Sequence, residues 1–137
     1  MKKSLLIVFL ISLGFLMGCY AQGQPKGDGK ASAAAPKKIS AEQAKDMMDK
    51  GGPCTLVDVR TAGEFKEGHI KGAVLIPVDE ITSRAEKELP DKNAAIVVYC
   101  RSGVRAARAA QSLADMGYTN VYNMGGIMSW PYGTVNN

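Results

Sequence analysis

The sequence has little histidine, little cysteine and no hydrophobic run long enough to cross a membrane. Its 137 residues include one histidine and three cysteines, and no two cysteines stand in a Cys-x-x-Cys pair. These absences exclude the common zinc-site spacings, and we expect neither a metal nor an organic cofactor. The longest apolar stretch, residues 4–17, falls short of the ~20 residues that a membrane-spanning helix needs.

The chain also lacks a strong excess of charge of one sign. Seventeen Lys and Arg residues oppose 13 Asp and Glu residues, for a formal net charge of +4. No basic run is interleaved with aromatic residues, so a nucleic acid is not an expected partner. There is no internal repeat, and the length suits one small folded domain.

The N-terminus has the layout of a secretory signal, with a basic start, a short apolar core and a small residue before a break. The break, Leu16-Met-Gly-Cys19, resembles the lipobox of bacterial lipoproteins. That resemblance implies cleavage after residue 18 and lipidation of Cys19. It places the protein in a bacterial cell envelope, lipid-anchored on the periplasmic side, with the outer membrane favoured where one exists. An ordinary secretory signal and an uncleaved anchor remain the alternatives.

Residues 19–38 are rich in Gly, Ala, Gln, Lys and Pro and offer no large aliphatic side chain to bury. Such a composition cannot offset its own chain entropy, so we predict a flexible tether. The folded domain is predicted over residues 39–133.

Within that domain, apolar strand segments alternate with helical segments. The alternation predicts an open parallel α/β sheet flanked by helices. Predicted helices cover residues 41–50, 61–66, 79–89 and 104–116, and predicted strands cover residues 55–59, 74–76, 95–99 and 120–122. Active sites in such sheets lie beyond the carboxyl ends of the strands.

Cys100 occupies such a position. It follows the apolar run Ala94-Ala-Ile-Val-Val-Tyr99 and opens the loop Cys100-Arg-Ser-Gly-Val-Arg105, after which a helix begins. Unpaired backbone N–H groups and the helix dipole at that point stabilise a thiolate. The pattern therefore predicts a nucleophilic cysteine.

Cys54 is expected to play no part in that chemistry. It precedes its strand, whereas Cys100 follows another, so parallel strands would hold the two at opposite ends of the sheet. Five strand residues span ~16 Å, and a disulfide needs Cα atoms within ~7 Å. We predict that Cys54 is a small packed residue.

A set of short motifs in order resembles the single-domain rhodaneses. They are Leu56-Val-Asp-Val-Arg60, Glu64-Phe65, Gly68-His-Ile-Lys-Gly-Ala73, Ile76-Pro77, Cys100-Arg-Ser-Gly-Val-Arg105, and Gly125-Gly126 with Trp130. The resemblance implies a parallel sheet of about five strands and a cysteine that carries sulfur as a persulfide.

Each candidate residue receives a role from these arguments. Cys100 is the predicted nucleophile. The loop residues Arg101, Ser102, Gly103, Val104 and Arg105 are predicted to bind substrate, although Arg101 could point to solvent and Arg105 could pair with an acidic neighbour.

Three other residues are predicted to be structural near the site: Asp58, Arg60 and His69. In the family, the first two hold loops, and Glu64 is their expected partner. His69 belongs to a packing motif there, and a thiolate held by amides needs no general base.

The implied activity moves sulfur from a donor such as thiosulfate to cyanide, a thiol or a protein, by a monomer. One alternative is a cysteine-dependent phosphatase. Such enzymes have Cys-x5-Arg, whereas Cys100 to Arg105 is Cys-x4-Arg and position 106 is alanine. The other alternative is a non-catalytic rhodanese module that binds a partner, and retention of the cysteine counts against it.

Overall fold

The computed structural model describes residues 34–136. Strands and helices alternate along this part of the chain: β1 Lys37–Lys38, α1 Ala41–Asp49, β2 Cys54–Asp58, α2 Ala62–Glu67, β3 Val74–Leu75, α3 Ile81–Glu88, β4 Ala95–Cys100, α4 Val104–Asp115 and β5 Val121–Gly126. The five strands form one sheet in the order β1-β5-β4-β2-β3, and every neighbouring pair is parallel. The predicted fold class is confirmed.

The central strands are buried on both faces, which explains their nearly continuous apolar sequence. Val98 of β4 packs on one face with Ala109 and Leu113 of α4, in the larger of two hydrophobic clusters. Val97 of β4 packs on the other face, in a cluster that includes Ala44 of α1. Successive β4 side chains thus supply two cores, one on each side of the sheet.

Side-chain caps fix the starts of α1 and α2. Ser40 and Gln43 form a reciprocal capping box at α1, and Thr61 and Glu64 form one at α2. Both have the spacing that is typical of a capping box, a Ser or Thr followed three residues later by Gln or Glu. The α4 helix differs, because its N-cap residue is Gly103 and no side chain caps its first amides.

Three parts of the fold differ from the sequence prediction. The short strand β1 was not predicted, and β5 continues to Gly126 instead of stopping at residue 122. The predicted helix over residues 79–89 begins as a 3₁₀ turn, Val78–Glu80, before α3. In each case, backbone pairing or turn geometry decides where the element forms, begins or ends. The hydrophobic periodicity of the sequence gives no signal of these boundaries.

The carboxyl edge of the sheet brings the candidate residues together. Asp58 ends β2, Cys100 ends β4 and Gly126 ends β5, and these three strands are neighbours or next neighbours. Over residues 34–136, no helix has the length and apolar character required to cross a membrane.

Candidate active site

Cys100 ends the middle strand of the sheet, where it pairs in register with Gly126 of β5. The residue is 1% exposed. The loop Arg101–Gly103 then turns the chain into α4, and the backbone N–H of Gly103 donates a hydrogen bond to Cys100 Sγ at 3.0 Å. The turn needs a positive φ of 109° at Gly103, which glycine adopts at little cost. The sulfur is therefore held at the start of a helix whose first amides have no side-chain cap.

The loop rests directly on the glycine pair at the end of β5. A Cβ on Gly126 would lie 2.2 Å from the carbonyl oxygen of Arg101, and a Cβ on Gly103 would lie 3.3 Å from the Cα of Gly125. Any side chain at Gly126 would thus displace the loop. Sequence reasoning noted Gly125-Gly126 as part of a family motif but missed this contact. A double glycine at a strand end is the available signal, since it often marks a close backbone approach.

Arg105 lies in the first turn of α4 and is bound by a carboxylate. Its Nη1 donates to Glu64 Oε2 at 2.7 Å and its Nη2 donates to Glu64 Oε1 at 2.9 Å. The hydrogen bonds to Glu64 raise the pKa of Arg105 against the lowering effect of burial, and the charges of Glu64 and Cys100 add to the rise. Of the two possibilities left open by the sequence, pairing with an acidic neighbour is the one found. Direct substrate binding by Arg105 stays a prediction.

The pairing of Glu64 corrects one expectation. The sequence suggested Glu64 as the partner of Asp58 and Arg60, but these two bind each other. Arg60 Nη2 donates to Asp58 Oδ2 at 2.6 Å, and Arg60 Nε donates to Asp58 Oδ1 at 2.9 Å. The two residues are two positions apart in sequence, so the pair forms locally and leaves Glu64 free to bind Arg105.

The Asp58–Arg60 pair is placed to hold together two segments near the site. Asp58 is fully buried and Arg60 is 6% exposed. Arg60 Nη2 also donates to the carbonyl oxygen of Gly68 at 2.7 Å, which ties the end of β2 to the segment after α2. Nearby, the backbone N–H of Ile70 donates to the Tyr99 hydroxyl at 3.1 Å. Burial, aided by Asp58, raises the pKa of Tyr99.

His69 packs against α2 and makes no hydrogen bond with Cys100. Its ring stacks on Phe65 with centroids 3.6 Å apart, and its Nδ1 lies 2.9 Å from the carbonyl oxygen of Phe65. The residue is 5% exposed, and its backbone pairs with Val135 near the end of the chain. These contacts give His69 a packing role.

The other loop residues face outward. Arg101 and Ser102 are exposed, and Val104 is 70% exposed. Within residues 34–136, Arg101 forms no salt bridge. An open groove of about 610 Å³ borders the loop, and its lining includes Ser102, Val104 and Met124. Contacts of Arg101, Ser102, Gly103 and Val104 with substrate stay predictions.

Cys54 lies at the far end of the sheet from Cys100. It pairs in register with Ala95, at the amino end of β4, whereas Cys100 ends that strand. Both thiols are free, and burial raises the pKa of the Cys54 thiol. The fold thus places the two cysteines at opposite ends of the sheet, as the argument against a disulfide required.

Cys19 lies outside the described residues, as do the predicted signal and most of the predicted tether. Lipidation of Cys19, and the cell-envelope location that follows from it, stay predictions.

Several known proteins resemble this chain. A thiosulfate sulfurtransferase, PspE, of Escherichia coli K12 is 39% identical over 71 residues, covering 52% of this chain and 68% of PspE. An uncharacterised Bacillus subtilis protein, YqhL, is 42% identical over 76 residues, covering 55% of this chain and 59% of YqhL. This chain thus matches only part of the length of each relative.

Solved structures share the fold. A rhodanese-like domain protein from Staphylococcus aureus superposes with a TM-score of 0.62 and 31% identity, over 74% of this chain and 98% of that one. A structure described as a rhodanese with anions from E. coli gives a TM-score of 0.59 and 34% identity, over 61% and 99% respectively. A family model described as the rhodanese-like domain matches residues 40–131. The chain therefore belongs to the rhodanese-like domain family, whose relatives include sulfurtransferases.

Proposed function

We propose that the protein is a sulfurtransferase that carries a sulfane sulfur as a persulfide on Cys100, with thiosulfate as a donor. One observation carries this proposal: Cys100 Sγ sits against the uncapped start of α4 and already accepts a hydrogen bond from the Gly103 amide. Helices α1 and α2 use side chains to satisfy their first amides. The start of α4 leaves that place open for an anion.

The reaction has two steps. The Cys100 thiolate attacks the outer sulfur of thiosulfate, the sulfur–sulfur bond of the donor breaks, and sulfite leaves with the bonding electron pair. The second step transfers the outer sulfur of the persulfide to a nucleophile. With cyanide, thiocyanate forms and the thiolate returns. No redox co-reactant is needed, and the two half-reactions predict ping-pong kinetics.

The loop after Cys100 and the start of α4 stabilise negative charge on the sulfur during both steps. The loop amides and the positive end of the α4 dipole favour the thiolate and the persulfide anion, as an oxyanion hole favours oxygen. Within hydrogen-bond reach of Cys100, no side chain is placed as a general base among residues 34–136. A thiolate nucleophile and an anionic leaving group require no proton transfer.

Loop length supports sulfur transfer over phosphate hydrolysis. The six residues from Cys100 to Arg105 form a shorter loop than the Cys-x5-Arg loop of cysteine phosphatases, and Ala106 stands where their arginine would be. Arg105 itself is engaged by Glu64. A tetrahedral phosphoryl group would therefore lack both room and a free guanidinium fork.

The test is thiocyanate formation from thiosulfate and cyanide by the wild type, Cys100→Ser and Cys54→Ser, with hydrolysis of an aryl phosphate measured in parallel. We expect activity in the wild type and most of it in Cys54→Ser, none in Cys100→Ser, and no phosphatase activity. Equal loss in both variants would reject the assignment to Cys100. An inactive wild type would favour the alternative function, a non-catalytic rhodanese module that binds a partner.

We also propose that the domain is attached to a bacterial membrane through a lipid on Cys19, on the periplasmic side. The support is the segment Leu16-Met-Gly-Cys19 at the end of a short apolar core. A tether would then link the lipid to the folded domain.

A further inference from the structure

The guanidinium of Arg105 points its paired N–H groups at one carboxylate. Both terminal nitrogens donate to Glu64, at 2.7 and 2.9 Å, in the bidentate arrangement that binds a carboxylate most strongly. The side chains of Arg105 and Glu64 are 30% and 26% exposed, so the pair is partly shielded from water. An anionic substrate would have to compete with Glu64 for this fork.

Glu64 is also held in place by Thr61. The backbone N–H and the hydroxyl of Thr61 both donate to Glu64 Oε2 at 3.1 Å. Hydrogen bonding to Arg105, with Thr61 contributing, lowers the pKa of Glu64 to about 2. The carboxylate is therefore charged at any pH at which the enzyme would work, and the Glu64–Arg105 pair is neutral overall.

Two other arginines near the loop also have a carboxylate partner. Arg60 is bound by Asp58, and Arg108 lies 3.4 Å from Asp79. Arg101 alone, among the loop and α4 arginines in residues 34–136, has no carboxylate partner. The site thus combines loop amides, a helix dipole and one unpaired cation with a fixed carboxylate on the α2 side.

We propose that Glu64 sets the charge preference of the site: by neutralising Arg105 it favours sulfur donors with one negative charge or none over the thiosulfate dianion. This inference rests on the proposed sulfur transfer and concerns the donor class. Glu64 acts through Arg105, so it is a specificity-determining positioning residue. Thiosulfate remains a donor, but one that finds the charge of Arg105 already neutralised by Glu64.

Two donors with the same reacting sulfur allow a comparison. Thiosulfate carries two negative charges and releases sulfite, whereas methanethiosulfonate carries one and releases methanesulfinate. In each case the Cys100 thiolate bonds to the outer sulfur, the donor's sulfur–sulfur bond breaks, and the leaving group takes the electron pair. The steps balance without an oxidant, so a change in relative rate reports charge and size at the site.

The decisive variant is Glu64→Gln. Glutamine serves at the same capping position of α1, where Gln43 Oε1 accepts from the Ser40 amide at 2.9 Å, so α2 should keep its cap. Its amide group cannot bind both nitrogens of Arg105, which is released with its charge. The matched control is Glu67→Gln, which removes the same charge from an exposed residue of the same helix.

We expect Glu64→Gln to lower the thiosulfate KM by roughly three- to ten-fold, the range for release of one cation near the substrate in a partly shielded site. The KM for methanethiosulfonate should fall less, and Glu67→Gln should change neither. In an Arg105→Gln background, where no guanidinium can be released, Glu64→Gln should lower the thiosulfate KM less than it does in the wild-type background. Equal effects on both donors, or no effect, would overturn the inference.

A second readout does not depend on sulfur transfer. Iodoacetate and iodoacetamide have similar shapes, but only the first is charged. Their relative rates of alkylating Cys100, followed by mass spectrometry of its peptide, report the local electrostatic potential. Glu64→Gln should raise the iodoacetate-to-iodoacetamide ratio about three-fold or more. An unchanged ratio would reject the role of Glu64, whereas a raised ratio in a protein without thiocyanate formation would reject only the proposed activity.

Discussion

At the residue scale, the Cys100 sulfur has one hydrogen bond in place, from the Gly103 amide at 3.0 Å. The charged side chains around it are mostly paired with one another. Asp58 with Arg60 and Glu64 with Arg105 each form a bidentate contact. The backbone therefore supplies most of what stabilises an anion on Cys100, and the side chains chiefly fix the loops and adjust the net charge.

The Glu64–Arg105 pair predicts how stability depends on pH. The folded-state pKa of Glu64 is about 2, below its ordinary value of 4.5. The pair therefore stabilises the fold above pH 4.5, and this contribution is lost as pH falls from 4.5 towards 2. Its size should be at most about 1 kcal/mol, because both side chains are partly exposed.

Urea unfolding of the wild type and Glu64→Gln at several pH values measures this contribution. The difference in their free energies of unfolding should be constant above pH 4.5 and should shrink below it. The Glu67→Gln control should run parallel to the wild type. A difference that stays constant down to pH 3 would contradict the assigned pairing.

Single residues also show what sequence reasoning reached. The position of Cys100 could be predicted because strand, loop and helix are consecutive in sequence. The partner of Arg105 could not, because Glu64 is 41 residues away in sequence and only the fold brings the two side chains together. The Asp58–Arg60 pair is the opposite case. Its two residues are two positions apart, so the spacing that allows the contact is visible in the sequence.

At the element scale, the start of α4 is shaped by the end of β5. Gly126 is in an extended conformation and its backbone touches Arg101 and Ser102 so closely that no Cβ fits. The glycine requirement there is steric and does not come from an unusual φ. The loop's shape thus depends on a strand that follows it by twenty-odd residues.

Gly126→Ala should therefore damage both stability and activity. We expect a loss of ~1–3 kcal/mol in the free energy of unfolding, typical of an overpacked interior, and at least about ten-fold slower persulfide formation. Gly52→Ala is the matched control, since nothing lies within 4 Å of a Cβ at that position. Thermal unfolding and thiocyanate formation would measure both effects. If the two variants behaved alike, the loop would not rest on β5 as described.

The elements differ in how far the sequence could predict them. Strands β2 and β4 are apolar because both faces of the sheet are covered, and that pattern is visible in the sequence. Strand β1 consists of two exposed lysines, Lys37–Lys38, that pair with β5 through the backbone and add one cation–π contact, with Lys37 Nζ 5.7 Å from the centre of the Tyr122 ring. No side-chain pattern marks such a strand.

At the scale of the whole molecule, the first described strand ends beside the candidate site. Strand β1 runs parallel to its neighbour β5. Lys38 and Ile39 line the same groove as Ser102 and Val104 of the loop after Cys100. The end of β1 is therefore part of the surface around the site.

The lipid anchor itself is tested by Cys19→Ala in a bacterial host. We expect the wild type in the membrane fraction, with a mass that includes the lipid. The variant should lose the lipid and either become soluble or remain an uncleaved precursor. Mature wild-type protein that starts after Cys19 and is freely soluble would contradict the proposal.

The ordered motifs predicted the family and the sheet because they are spread over nearly the whole domain, from Leu56 to Trp130. They could not define the charge balance of the site, since that depends on which acidic residue meets which arginine in the folded chain. The proposed donor preference depends on that pairing.

The most direct test of the central claim is peptide mass spectrometry after brief treatment with thiosulfate and no acceptor. We predict that one sulfur atom is added to the peptide containing Cys100 and none to the peptide containing Cys54, and that cyanide removes it with release of thiocyanate. Cys100→Ser should gain no sulfur. Sulfur on Cys54 alone, or none on Cys100 while thiocyanate still forms, would contradict the account.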